Sequence, residues 1–259
     1  MNYKNCSICR NKLIFLKKIN KPQKLENIFN FSRKKFYKNF YECKNCLHIY
    51  NFHSFQKRIM GIYKKSYNSN SHINIEEKFQ KIINMNKFKS SNHQRIKTLL
   101  PFLKKKYNIL DIGSGIGIFP YSLKQNGYKI DCLEYDKNAC KFLSKIGLKT
   151  IKKTIINFDI PKKYNVITFN KILEHLPIEN IIKILKKIKS KRILYIELPS
   201  VKAKREGLKR QEFFLEHFNV FSKKSLILLV KTLNYKIIKI SDIKEVNNKY
   251  TLRAIIEKK

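Results

Sequence analysis

From Tyr107 onward, short apolar runs alternate with stretches whose apolar residues recur every three or four positions. The runs predict strands at Asn108–Ile112, Lys129–Glu134, Thr150–Lys152, Tyr164–Phe169, Arg192–Leu198, Tyr235–Ile240 and Thr251–Ile256. The periodic stretches predict helices at Phe119–Asn126, Lys137–Ile146, Ile178–Ile188 and Ser225–Leu233. Strands alternating with helices fold as an α/β structure, here a seven-stranded, mostly parallel sheet with helices on both faces. Such sheets bind ligands at the carboxyl ends of their strands, near the point where strand order reverses. This unit is expected to occupy residues 106–259.

Upstream the pattern changes. Helical spacing at Phe79, Ile82 and Ile83, and again at Ile96, Leu99, Leu100 and Leu103, predicts linking helices within residues 71–105. Pro101 should bend or end the second of them. Ile62–Ser71 is polar with two tyrosines, Tyr63 and Tyr67, and reads as a connector. Those tyrosines either line an acceptor site or simply pack.

Residues 1–70 hold four of the six cysteines as two pairs, Cys6-Ser7-Ile8-Cys9 and Cys43-Lys44-Asn45-Cys46. A Cys-x-x-Cys turn points two thiolates at one ion, and two such turns complete a tetrahedral site. The gap between the pairs can hold a small hairpin, with Phe29, Phe31, Phe36, Tyr37, Phe40 and Tyr41 to pack around the site. Segments this short rarely fold without a staple. The expectation is a small N-terminal four-cysteine metal-binding domain holding structural zinc, because four cysteines close the coordination sphere. A redox pair is the other reading of a single motif of this kind. His48 and His53 could replace a cysteine, but are expected as ordinary surface histidines. Cys132 and Cys140 stand alone.

Composition narrows the classes. Apolar residues make up 43% of the 259 and aromatics 12%, enough for a core and too much for a disordered chain. No apolar run approaches the roughly 20 residues of a membrane span. No signal-peptide core follows Met1, so a cytoplasmic protein is expected. The net charge of +39 would suit nucleic acid or an anionic membrane. Yet 49 of the 57 basic residues are lysine, and arginine, the better residue for forked phosphate contacts, is scarce. Much of the charge therefore reads as compositional bias. Lysines such as Lys186, Lys187, Lys189 and Lys191 read as a solvated face.

The most informative segment is Ile109-Leu110-Asp111-Ile112-Gly113-Ser114-Gly115-Ile116-Gly117. A buried strand runs into a glycine turn and then a helix whose first turn contains Pro120. A dinucleotide fingerprint would place a third glycine where Ile118 stands. Asp-x-Gly-x-Gly-x-Gly instead resembles the first motif of class I S-adenosylmethionine-dependent methyltransferases, whose sheet is Rossmann-like. The resemblance implies cofactor contacts at Asp111, Gly113, Ser114, Gly115 and Gly117. The second predicted strand ends at Glu134, seventeen positions after Gly117. A carboxylate there can accept both hydrogen bonds of a ribose diol. Asp136 is equally suited to cap the following helix. After the fourth strand, Leu173-Glu174-His175 resembles a segment that lies beside the methionine part of the cofactor in many small-molecule methyltransferases. Glu174 and His175 are therefore expected at the cofactor, although His175 also fits a plain helix start.

The acceptor is less legible. Enzymes acting on exocyclic amines of bases usually carry Asp/Asn-Pro-Pro-aromatic after strand four, where this chain has Asn170-Lys171-Ile172-Leu173. Cytosine C5 enzymes need a nucleophilic cysteine, usually in Pro-Cys, and no cysteine here follows a proline. The run Glu212–Ser222, with the paired cysteines, resembles zinc-containing sugar methyltransferases of deoxysugar and surface-glycan pathways. Their carbon-methylating members carry Tyr-x-Glu-His in this loop. Glu216 and His217 match, but Phe214 replaces the tyrosine, which leaves oxygen, nitrogen and carbon acceptors open. The resemblance implies His217 as proton acceptor and Glu216 as its orienting or charge-stabilising partner, with a nucleotide-linked sugar or glycan precursor as substrate; the other reading is that both residues merely close the loop over the sheet. The alternatives are an RNA-modifying methyltransferase using the basic surface and zinc module, and a non-catalytic interaction protein.

Overall fold

The computed structural model describes residues 4–23, 26, 36–56, 58–59, 74–188 and 191–259. Phe29, Phe31, Tyr63, Tyr67, Lys189 and the expected connector at 62–71 lie outside the described residues.

The larger sheet is built from β4 (Asn108–Ile112), β5 (Lys129–Glu134), β6 (Lys149–Lys152), β7 (Val166–Asn170), β8 (Ile193–Pro199), β10 (Tyr235–Lys244) and β11 (Tyr250–Lys258). Its strand order is β10-β11-β8-β7-β4-β5-β6. Strands β4 to β8 run parallel, and β11 pairs antiparallel with both β8 and β10. This is the expected α/β sheet of seven strands. The central strands β4, β7 and β8 are nearly all buried, as befits strands covered on both faces. Edge strand β10 is exposed or half-buried along its length after the buried Tyr235. It runs past the expected end at Ile240 because main-chain pairing continues to Lys244 opposite Tyr250.

Helices α1 (Ile75–Ile83), α2 (Ser91–Leu99), α3 (Ile118–Gln125), α4 (Lys137–Lys145), α5 (Ile178–Lys187) and α6 (Lys223–Thr232) connect or flank the strands. In α5 the buried residues are Ile178, Ile181, Ile184 and Leu185, one stripe facing the sheet, while Lys186 and Lys187 face water. Each buried aliphatic side chain there is worth about 1.5–3 kcal/mol. Helix α6 starts two residues earlier than its apolar pattern implies, because Ser222 caps it: its Oγ accepts the Ser225 N–H at 2.9 Å. Leu100, Pro101 and Phe102 turn the end of α2 into a short 3-10 segment. Among the described residues no helix is long and apolar enough to cross a membrane.

The small sheet is more than a hairpin. Strands β1 (Leu13–Ile19), β2 (Lys38–Cys43), β3 (Ile49–His53) and β9 (Asn219–Val220) pair antiparallel in that order. The fourth strand comes from the segment just before α6, so the cysteine-bearing end and the large sheet share a core: Cys6, Cys43 and Cys46 pack in one buried cluster with residues of β4, β7, β8 and α6. His48 and His53 are both buried, contrary to their expected place at the surface. His48 sits edge-on against Tyr50 and Phe221, and His53 stacks on Phe218. The loop that returns to form β9 supplies two of these partners, Phe218 and Phe221.

Candidate functional site

Strand order reverses at β4, which has β5 on one side and β7 on the other. At the carboxyl ends of these strands lies a cavity of about 440 Å³. Gly113 and Gly115 form its floor, and Glu134, at the end of β5, stands on its rim. Gly113 has φ +69°, and a Cβ there would lie 2.6 Å from Ile172 Cδ1, so the turn is closed to larger residues. Gly117, with φ +79°, is packed on its far side: a Cβ would meet Leu143 Cδ2 at 2.5 Å. The Glu134 carboxylate is fixed by backbone donors, accepting N–H bonds from Gly115 (2.7 Å), Tyr135 (2.6 Å) and Asp136 (2.9 Å). Asp136 also caps α4 through the Ala139 N–H. Apolar walls come from Ile82, Ile155, Ile156, Ile172 and Leu176.

The other residues expected at the cofactor do not line this cavity, His175 excepted. Asp111 is buried beneath it, 2% exposed, its Oδ1 accepting from Thr168 Oγ1 (2.5 Å) and Asn170 Nδ2 (2.8 Å). Burial pushes its carboxyl up to about 6 despite these donors. Ser114 Oγ closes the turn on the Asp111 carbonyl at 3.0 Å. Gly117 leads into α3. Sequence patterning missed Ile155 and Ile156, an apolar pair just after an edge strand, and Lys78 and Ile82 of α1. The apolar spacing of α1 was the available signal for the last.

A second cavity, about 220 Å³, adjoins the first and shares Lys171 and His175 with it. Glu174, Glu212, Glu216, His217, Lys249 and Tyr250 contribute its polar lining. His175 and His217 stand edge to face with ring centroids 4.9 Å apart. His175 Nδ1 bonds the Glu216 carbonyl and His217 Nδ1 the Glu212 carbonyl, both at 3.0 Å. The Glu216 carboxylate lies 3.8 Å from His217 Nε2. Burial, reinforced by His175, pushes the His217 imidazole down to about 4, so it is neutral at pH 7. Glu174 is 1% exposed, and burial pushes its carboxyl up to about 7.

The Glu212–Phe218 loop is held from the small sheet. Asn51 of β3 donates from Nδ2 to the carbonyls of Phe214 and His217, both at 3.1 Å. The Asn51 N–H reaches the Phe218 carbonyl at 3.0 Å, and the Phe218 N–H the Glu174 carbonyl at 2.9 Å. Buried Lys38 pairs with buried Glu26 at 2.6 Å, and the same carboxylate oxygen accepts the Leu215 N–H at 2.7 Å. A second buried ion network runs through the large sheet. Glu197 meets Arg95 and Arg253 at 2.6 Å each, and Glu245 meets Lys171 at 2.8 Å. Lys171, at the junction of the two cavities, has φ +56°, an uncommon conformation for a residue with a Cβ.

At the small sheet, the thiol sulfurs of Cys6, Cys9, Cys43 and Cys46 all lie within 4.8 Å of one another. Cys6 and Cys46 are 3.6 Å apart, and Cys9 and Cys43 3.3 Å. These separations exclude disulfides, near 2.05 Å, and approach the edge of about 3.8 Å of a tetrahedron with Zn–S bonds near 2.3 Å. The two turns share one backbone pattern. The Arg10 N–H reaches the Cys6 carbonyl and the Leu47 N–H that of Cys43, while Cys6 and Cys43 donate to the carbonyls of Asn11 and His48. Arg10 and Leu47 both have positive φ, 64° and 58°. Amides of Ile8 and Cys46 point at the sulfurs of Cys6 and Cys43. The Cys46 thiol holds Cys6 well below the ordinary thiol range. Neither His48 nor His53 joins this cluster.

The chain matches the model of the methyltransferase domain family over residues 84–240, more than half its length, and it belongs to that family. No curated protein matches the chain. Among solved structures, a similar fold is found in a SAM-dependent methyltransferase from Archaeoglobus fulgidus, 19% identical, TM-score 0.54, covering 66% of this chain and 96% of that one. Another is the magnesium protoporphyrin IX methyltransferase of Synechocystis PCC 6803, solved with bound SAM, 10% identical, TM-score 0.56, covering 79% and 97%. A third is the 1,6-didemethyltoxoflavin-N1-methyltransferase of Burkholderia thailandensis, 10% identical, TM-score 0.55, covering 79% and 87%. At such identities the likeness is one of fold. The protein is thus a methyltransferase, with the fold of the S-adenosylmethionine-dependent class.

Proposed function

We propose that this methyltransferase transfers the methyl group of S-adenosylmethionine to a small polar acceptor, a nucleotide-linked sugar or glycan precursor. The supporting observation is the pair of joined cavities, one apolar with a fixed carboxylate and one lined by carboxylates, imidazoles and lysines. The larger suits the cofactor. Its glycine floor leaves room where a Cβ would intrude, Glu134 presents acceptors to a ribose diol, and the isoleucine walls suit an adenine ring. When bound, the cofactor supplies an electrophilic methyl on a sulfonium.

The chain's own residues then align the acceptor and exclude water. The acceptor enters beside His175 and Lys171. Glu216 and His217 meet the group that gives up a proton, and burial keeps His217 a weak base. Lys249 suits an anionic part of the substrate, a narrower role for positive charge than gripping a polymer.

The four-cysteine cluster suits structural zinc: four thiols, two matched turns and amide donors to sulfur fit that ion and leave no position for chemistry. Its task is to brace the small sheet whose Asn51 holds the Glu216–His217 loop. Six unpaired cysteines accord with a reducing, cytoplasmic setting. The test is mass spectrometry of nucleotide sugars incubated with the protein and labelled cofactor. A gain of one methyl on one of them is expected; a panel that stays unmodified while the cofactor binds removes the sugar reading.

A further inference from the structure

Beyond the cysteine cluster, one other group of side chains among the described residues brings metal-ligating atoms together: Glu174, His175 and His217, within 4.8 Å of one another in the smaller cavity. We propose that these three residues bind a divalent first-row cation that takes its remaining ligands from two adjacent oxygens of the acceptor. The ligand-directed observation is Glu174 Oε2, buried with no hydrogen-bond partner on a side chain that is 1% exposed. An orphaned carboxylate oxygen this deep is costly unless a cation or proton meets it.

The histidines are set up in the same sense. Each Nδ1 faces a backbone carbonyl, Glu216 for His175 and Glu212 for His217, both at 3.0 Å. A carbonyl only accepts, so in each ring Nδ1 donates this hydrogen bond and Nε2 is the nitrogen a cation would meet. That outer bond to a carbonyl is how proteins orient a ligating imidazole. The Phe218 N–H to the Glu174 carbonyl ties the two ligand-bearing segments together at 2.9 Å. Competing positive charge is partly removed, since Lys171 is committed to Glu245 at 2.8 Å.

Two imidazoles and a carboxylate suit divalent manganese, iron, cobalt or zinc. Three ligands leave positions open, and filling two of them chelates a vicinal diol or hydroxy-ketone. A bound hydroxyl then loses its proton more readily. This inference deepens the sugar reading and rests on it only for the acceptor, not for the cation.

The test is electron paramagnetic resonance of the full chain, zinc-loaded at its cysteines, titrated with Mn2+, which does not displace zinc from thiolates. One equivalent of bound Mn2+ is expected. Its dissociation constant should rise at least about a hundredfold in Glu174→Gln and in His217→Ala, more than the ten- to hundredfold lost with outer partners. Thermal melting and retained S-adenosylhomocysteine binding establish that the variants fold. A wild type that binds no Mn2+ overturns the proposal, as do folded variants that bind it unchanged. Mn2+ bound in the three-residue site with no sugar methylated removes the acceptor reading and leaves the cation site standing.

Discussion

Replacing Glu197 by glutamine keeps the side chain's volume and removes its charge. In the native protein Glu197 is fully buried at the centre of β8. Arg95 lies at 2.6 Å on one carboxylate oxygen, and Arg253 (2.6 Å) and the Tyr195 hydroxyl (2.7 Å) lie on the other. Although burial alone would raise this carboxyl, Arg95, Lys171 and Arg253 pull it from its ordinary 4.5 to about 2. Through proton linkage that lowering corresponds to about 3 kcal/mol of stability at neutral pH. Breaking a buried pair from one side costs about 3–5 kcal/mol by a separate route, since the guanidiniums stay buried without their partner. At roughly 2–4 °C per kcal/mol for a chain of this size, Glu197→Gln should lower Tm by roughly 6–20 °C at pH 7. The sign of the pH dependence follows from the lowered carboxyl. Its contribution is present above pH 4.5 and is lost as pH falls towards 2, so wild type and variant should converge in that window. Differential scanning calorimetry from pH 7 down to the acid limit measures both. A loss under about 2 °C at pH 7, or a gap that stays constant into acid, refutes the reasoning.

Other perturbations reach the remaining parts of the molecule. Glu134→Gln sets an amide N–H2 where a carboxylate oxygen now accepts the Gly115 N–H. S-adenosylhomocysteine should bind about ten- to a hundredfold more weakly by calorimetry, for a charge-assisted bond worth about 1.5–3 kcal/mol; an unchanged constant counts against the assigned role. Gly117→Ala forces a Cβ to 2.5 Å from Leu143 Cδ2 at φ +79°. It should cost about 1–3 kcal/mol in urea unfolding, and a change below about 0.5 kcal/mol would show that the turn tolerates a side chain. Elemental analysis of the purified chain should find zinc, and Cys43→Ser should lose one equivalent of it and lower Tm. A metal-free protein with an unchanged melt contradicts the zinc assignment.

The parts legible in sequence are those whose causes are local. The turn after β4 shows in Gly113, Gly115 and Gly117 because positive φ and close packing select glycine within a few residues. The thiol cluster shows in its spacing, since each turn is fixed by hydrogen bonds spanning four and five residues. Interactions between distant segments left no periodic trace. Arg95 lies 102 residues from Glu197, and Asn51 is 163 residues from the Phe214 carbonyl it holds. Lys38 is one lysine among 49, and only the fold reveals that it is buried on Glu26. Misplacing His48 and His53 has the same cause. The aromatic residues that enclose them include Phe218 and Phe221, from a strand that completes the small sheet out of the other half of the chain.

The proposed chemistry requires that the cavity at the carboxyl ends of β4 and β5 hold the cofactor. Calorimetric titration of S-adenosylhomocysteine into the full chain tests it directly, with melting of the same samples as a second readout. One molecule bound per chain is expected. At a hundredfold excess over the dissociation constant the ligand should add about 2.7 kcal/mol of stability and raise Tm accordingly. No binding heat and no shift in Tm at millimolar ligand would contradict the claim.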